Sequence, residues 1–242
     1  MQPYLFPYIG YFQLIAAVDI FVSLDDVNFI KRGYINRNNI CVNGKKCRFS
    51  APLKKASQNV LIDDVEVADE FPQWRDKFLR TLELGYGKCS HFREGMDCAE
   101  QVFTRGEKKI SEINYYGLRL IANKLGLKTR FYKASDLGMP RTKGASRLAA
   151  IASHFKADCY VNPPGGKKLY SEEMFSPYGV DLRFLDPALK PYPMPVWIPA
   201  LSILDAIARE GFGYIADKLL NGWKLTPVVK TTESDATRAD DV

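Results

Sequence analysis

Apolar residues recur with one period after another in this chain, and each period predicts an element. Residues 17–24 are apolar and β-branched except at Asp19, as in a buried strand. Ile40 and Val42, then Cys47 and Phe49, alternate on either side of Asn43-Gly44. Asn-Gly between alternating runs predicts a β-hairpin, because both residues tolerate the positive φ of a type I′ turn. Residues 60–67 read as a further strand. The period then lengthens. Phe71, Trp74, Phe78 and Leu82 fall three and four apart, one face of a helix over residues 71–84. Residues 110–125 predict a second helix, stopped by Gly126 where a C-cap glycine belongs.

Strand and helix periods alternate from there. Residues 128–133 read as a strand, 145–157 as a helix, 158–162 as a strand, 169–175 as a short helix and 180–185 as a strand. A last helix covers about 201–209, with more helix after Gly213. Strands separated by helices predict an α/β fold: a mainly parallel, Rossmann-like sheet with helical crossovers, plus a β-hairpin elaboration in the N-terminal half. Residues 1–226 are expected to form a single domain. Residues 227–242, ending TTESDATRADDV, have little to bury and are expected to be a disordered tail. There is no internal repeat.

Composition narrows the class. A 242-residue chain with 46% hydrophobic and 26% charged residues is that of a soluble globular protein. No run approaches the roughly 18 apolar residues of a membrane span, and the first residues lack the basic region and cleavage site of a secretory signal. Five cysteines, scattered and without a CxxC, and only two histidines argue against structural zinc and against a disulfide framework. The expectation is a cytoplasmic protein with reduced thiols and no metal site.

Charge is unevenly placed. Lys31, Arg32, Arg37, Lys45, Lys46, Arg48, Lys54 and Lys55 fall within 25 residues that hold no Asp or Glu, and these eight exceed the formal +6 of the whole chain. A positive block in an otherwise slightly acidic protein predicts a local anion site.

Three segments carry candidate chemistry. In Gln2–Ile15, Gln2, Tyr4, Phe6, Tyr8, Gly10 and Tyr11 either pack as an aromatic cluster or line a nucleotide. Tyr8-Ile9-Gly10-Tyr11 resembles in spacing the HxGH signature of nucleotidyl transferases, with neutral phenols where both histidines should be. In Asp25–Asn38, Asp25 and Asp26 follow a predicted strand at its carboxyl end, where they either cap a turn or act on a ligand. Lys31, Arg32, Asn36, Arg37 and Asn38 suit a diphosphate, arginine as a bidentate fork and lysine as a mobile charge. In Cys159–Glu173, Asn162 ends a strand ahead of Pro163-Pro164-Gly165-Gly166-Lys167, whose glycines admit a ligand to the backbone N–H groups; GxxxxGK[ST] is absent. Smaller candidates are Tyr86 and Lys88, Ser135-Asp136, and Ser202 with Asp205, whose carboxylate in an apolar helix needs a partner or serves as a base. His91 and His154 have no nucleophile-base spacing.

QPYLFPYIGYFQLI, IKRGYINRN, ASDLG, YVNPPGGKKLY and WIPALSILDAI, in this order and spacing, resemble the WbqC family, over most of residues 1–226. The resemblance implies a role in bacterial O-antigen and surface-polysaccharide (lipopolysaccharide) biosynthesis, as a transferase of glycine or a related acyl group to an amino sugar. It also implies a short apolar strand ahead of the MQPY segment, for which the chain from Met1 leaves no room. The leading expectation is an enzyme forming an amide on a nucleotide-linked amino sugar. Lys31, Arg32 and Arg37 would hold the diphosphate, Gly165, Gly166 and Lys167 would add a second contact, and Asp25, Asp26 or Asp205 would be the base. Its acyl donor would be an aminoacyl adenylate, a thioester or an aminoacyl-tRNA, with ATP open as a cofactor. The alternatives are a nucleotidyl or adenylyl transferase and a non-catalytic sugar-nucleotide-binding protein. Other nucleic acid is not expected as a partner, and a homo-oligomer is left open.

Overall fold

The computed structural model describes residues 1–194 and 196–227; the tail expected to be disordered lies outside them apart from Pro227. The described residues divide into two compact units, Met1–Arg141 with Pro187–Trp223, and Thr142–Asp186 with Lys224–Pro227.

The first unit opens with helix α1 (Ile9–Ala16) and strand β1 (Ile20–Ser23), then the hairpin β2 (Arg37–Val42) and β3 (Lys45–Ser50). Asn43 (φ 50°) and Gly44 (φ 73°) form the turn, as the sequence predicts. The hairpin pairs Arg37 with Ser50 at its open end and Val42 with Lys45 at the turn, and forms a two-stranded sheet of its own. Residues 60–67 do not make a strand. A single 3-10 turn at Ile62–Asp64 and isolated bridges at Leu61, Glu66 and Val67 take its place. Ile62 and Val65 are drawn instead into a core cluster with Phe29, Ile35 and Ile110, and the Asp63-Asp64 pair turns outward between them.

Helices α2 (Phe71–Tyr86), α3 (Phe92–Phe103) and α4 (Ile110–Lys124) follow. The period reading finds α2 and α4 but omits α3, although Phe92, Met96, Ala99 and Phe103 are buried at helical spacing. Strand β4 (Arg130–Lys133) then pairs with β1 in parallel, Ile20 opposite Arg130 and Ser23 opposite Lys133.

In the second unit, α5 (Gly144–His154) leads into β5 (Cys159–Asn162) and β6 (Asp181–Asp186), which are parallel. Between these strands run three short 3-10 turns, not the expected helix. Prolines at the first turns of two of them and Gly179 at φ 68° interrupt any longer run. The chain returns to the first unit for α6 (Ile203–Tyr214) and a π turn at Ile215–Leu219, and ends its described course in the second unit with β7 (Lys224–Pro227), antiparallel to β6.

The fold is therefore mixed α/β. Its described strands form three small sheets, β1-β4, β2-β3 and β5-β6-β7, rather than one doubly wound sheet. The helix between β4 and β5 joins strands of different sheets, so the alternation along the sequence does not close a crossover unit there. No described helix is long and apolar enough to cross a membrane.

Candidate functional site

Ligands of parallel strands bind beyond the carboxyl ends, and for β1 and β4 those ends carry Asp25-Asp26 and Ser135. Asp25 is 1% exposed. One of its oxygens accepts the Ser135 N–H at 3.0 Å and the other the Ser135 hydroxyl at 2.6 Å. Its backbone carbonyl accepts the Asp63 N–H at 2.9 Å. Burial raises the Asp25 pKa above the ordinary carboxylate value; the Ser135 bonds pull the other way without cancelling it. Asp26 is buried beside it. Around the pair, Lys109 and Ser111 hold Asp63, and Lys133 binds Glu112 of α4 at 2.8 Å.

The N-terminal segment runs past the same strand end. The Met1 amine donates to the Val22 carbonyl at 2.9 Å and the Leu24 N–H to the Met1 carbonyl at 2.7 Å. Burial pushes that amine down to about 5. Three buried polar atoms adjoin this segment without a hydrogen-bond partner: Gln2 Oε1, Ser23 Oγ and Asn114 Oδ1. The Asn114 orientation is fixed, because its amide nitrogen donates to both the Pro3 and Ile35 carbonyls. Buried polar atoms are normally hydrogen-bonded, so these three are candidate acceptors within the segment.

Tyr4 joins this segment to the basic loop. Its ring lies 5.5 Å from Tyr11 and 5.7 Å from Tyr34, and the Tyr11 hydroxyl donates to the Gln2 carbonyl at 2.6 Å. Burial, with neighbouring phenols second, raises the pKa of Tyr4, Tyr8 and Tyr11, so all three stay protonated donors. A side chain at Gly10 would run into the Tyr8 ring. The far end of the Tyr8 ring thus lies over that glycine.

The other expected residues have separable places. Phe6 is buried against Phe103 and holds φ 43°, a strained value for a non-glycine residue. Its carbonyl accepts from Asn38 and from Ser202, both at 2.8 Å, which fixes the strained turn. Asn36 binds the Ala51 carbonyl. Arg37 donates its Nε to the Gly33 carbonyl at 2.8 Å, tying the basic loop to the hairpin. Lys31, Arg32 and Lys88 are exposed.

Asp205 lies in a different environment. It is fully buried, and the Tyr86 and Tyr192 hydroxyls each donate to it at 2.6 Å, with Arg209 Nε at 3.3 Å from both oxygens. Tyr86 also accepts the Cys41 N–H at 2.8 Å, so one phenol links α2, β2 and α6. Burial first, then the Asp205 charge, raises both phenols far above their usual value.

In the second unit, Asn162 is buried against Gly166, where a Cβ would strike its amide. Gly165 is exposed. Lys167 is paired with Asp186 at 2.9 Å, and an anion would have to displace that carboxylate.

Ser23, Asn114, Tyr34 and Tyr192 escape the sequence reading. Asn114 alone left a signal, a polar residue on the buried face of α4 between Ile110 and Leu118. Two hollows lie away from these groups, about 450 Å3 beside Asp19, Lys128 and Arg130 at the amino ends of β1 and β4, and about 290 Å3 lined by Lys54, Phe71, Arg75 and Phe103.

The sequence model of the WbqC-like protein family matches residues 2–215. An uncharacterized protein of Mycobacterium tuberculosis, Rv1507c, is 28% identical over 216 residues, covering 85% of this chain and 90% of the relative. No solved structure matches the chain.

Proposed function

Because the chain belongs to the WbqC-like protein family, we propose that it is a transferase of bacterial surface-polysaccharide synthesis that forms an amide on a nucleotide-linked amino sugar. The observation that carries this reading is the buried Asp25 at the carboxyl end of β1, aligned through both oxygens by Ser135 at the end of β4. A base with a raised pKa is well matched to an ammonium substrate. The sugar amine attacks the acyl carbon of an activated glycyl or related donor. The C–N bond forms, the donor's C–O or C–S bond breaks, and the proton leaving nitrogen passes to Asp25.

Lys31, Arg32 and Arg37 hold the diphosphate, and Tyr4, Tyr8 and Tyr11 flank the sugar or base. The side-chain carbonyls of Gln2 and Asn114 offer acceptors to hydroxyl or amine donors. Asp205 holds α6 through Tyr86 and Tyr192 and stays out of the chemistry. The Gly165-Gly166-Lys167 loop is a second anion candidate within its own unit.

A thermal-shift screen against UDP-, GDP- and dTDP-linked amino sugars tests the reading. Ligand at a hundred times its Kd stabilises a folded protein by about 2.7 kcal/mol, which at this size raises the melting temperature by roughly 5–10 °C. No shift with any of them at millimolar concentration sinks the proposal.

A further inference from the structure

No Asp or Glu lies between Asp26 and Asp63, and the structure turns that stretch into a surface. Lys45, Lys46 and Arg48 of β3 are exposed, as are Lys31, Arg32 and Lys55 beyond the hairpin's open end. None of the six has a carboxylate partner among the described residues, whereas the neighbouring Lys54 is paired with Asp69 and Glu66. A surface cation in a stable protein has no need of a partner, but six within 25 residues that hold no acid leave a strong local field.

Three of the six follow one strand. The ladder from Arg37–Ser50 to Val42–Lys45 spans six pairs, about 17 Å at ~3.4 Å per residue. Lys46 and Arg48 share one face of β3 about 6.8 Å apart, twice the ~3.4 Å charge spacing along one strand of a nucleic acid helix. β3 has no second neighbour strand, so nothing in its own sheet covers that line. At the open end, Tyr34 is 47% exposed with its ring against Tyr4. A row of cations ending in an exposed, supported aromatic ring is the combination that tracks a nucleic acid backbone and stacks a base. A lipid surface is a poorer match, because Ile30 and Tyr34 are the only large apolar side chains exposed between residues 27 and 62 and stable anchoring takes more than a polybasic patch.

We propose that the face running from Lys31–Arg32 along β3 to the Asn43-Gly44 turn docks an RNA strand. The inference shares Lys31 and Arg32 with the site proposed above, but RNA binding is read without turnover and sugar-nucleotide binding without RNA, so either can fail alone.

Fluorescence anisotropy with a labelled single-stranded RNA 12-mer and with bulk tRNA tests it on the full chain. Binding is expected at 50 mM salt, with log K falling against log[salt] at a slope near −3.5 for five phosphate contacts. The triple variant Lys45→Glu/Lys46→Glu/Arg48→Glu weakens binding at least tenfold and flattens the slope by about two, at an unchanged melting temperature. Should that variant not fold, Lys45→Gln/Lys46→Gln/Arg48→Gln serves the same comparison. Tyr34→Ala costs about fivefold with RNA and nothing with inorganic polyphosphate. Three results overturn the proposal: no RNA binding at 50 mM salt, equal binding by the triple variant, or polyphosphate competing as well as RNA with Tyr34→Ala without effect. Capture of phosphatidylserine vesicles without RNA binding assigns the face to a membrane and overturns it equally.

Discussion

Asp25 carries two separable consequences. Its pKa is raised in the folded protein, so the native state holds a proton more tightly than the unfolded chain. The carboxyl therefore costs stability as pH rises through its unfolded value near 4, and the cost is complete above the raised value. Asp25→Asn removes that cost. Between pH 4 and 7, thermal melts of the variant should fall less with pH than those of the parent, while amide formation drops at least a hundredfold. A melting curve as steep with pH as the parent's would show that Asp25 is not the group responsible. Ser135 is a positioning residue for the same carboxylate. Its bonds lower the Asp25 pKa, so Ser135→Ala should move the acid limb of the pH–rate profile to higher pH. A uniform loss of rate with an unmoved limb would assign Ser135 a purely structural part. For Asp205 the expectation reverses. Asp205→Asn leaves one phenol or Arg209 poorly matched in a fully buried site and should cost about 3 kcal/mol, read from urea unfolding. Activity per folded molecule should persist.

Among the elements, α6 depends on a break. Gly211 sits at φ 74° inside it, and a Cβ there would lie 2.5 Å from His91 Nδ1. Just beyond, Glu94 accepts the Phe212 N–H at 3.0 Å and contacts His91 at 2.7 Å, so the first turn of α3 caps the renewed turn. Burial alone would raise the Glu94 pKa, and the Phe212 bond and His91 bring it below the usual value. Gly211→Ala combines left-handed backbone with a collision and should cost about 2 kcal/mol or more, roughly 4–8 °C in melting temperature. An unchanged melt would mean that the kink straightens freely. The break falls in the gap that the sequence leaves between a helix over about 201–209 and more helix after Gly213. The Asn43-Gly44 hairpin, α2 and α4 are legible because turn chemistry and period act within a few residues. Residues 60–67 mislead, because burial of Ile62 and Val65 in a cluster with Ile110 is set by distant chain.

For the molecule as a whole, motif order identifies the family, and the positions of Asp25 and Ser135 after strands are readable from period alone. Their union across 110 residues is not, and neither is the pairing of Asp205 with Tyr86 and Tyr192, since both depend on tertiary closure. Sheet assembly is also beyond local reading: strands of four residues have too little sequence to choose their neighbours. The open side of β3 has one more consequence, for behaviour in concentrated solution. An unpaired strand edge is a template for another strand, and lysines are a common guard against it. Repulsion between two copies weakens as the screening length shrinks from about 10 Å at 0.1 M salt to about 3 Å at 1 M. Light scattering should therefore show self-association that grows with salt, and Lys46→Pro, which removes an outward N–H from the edge, should suppress it.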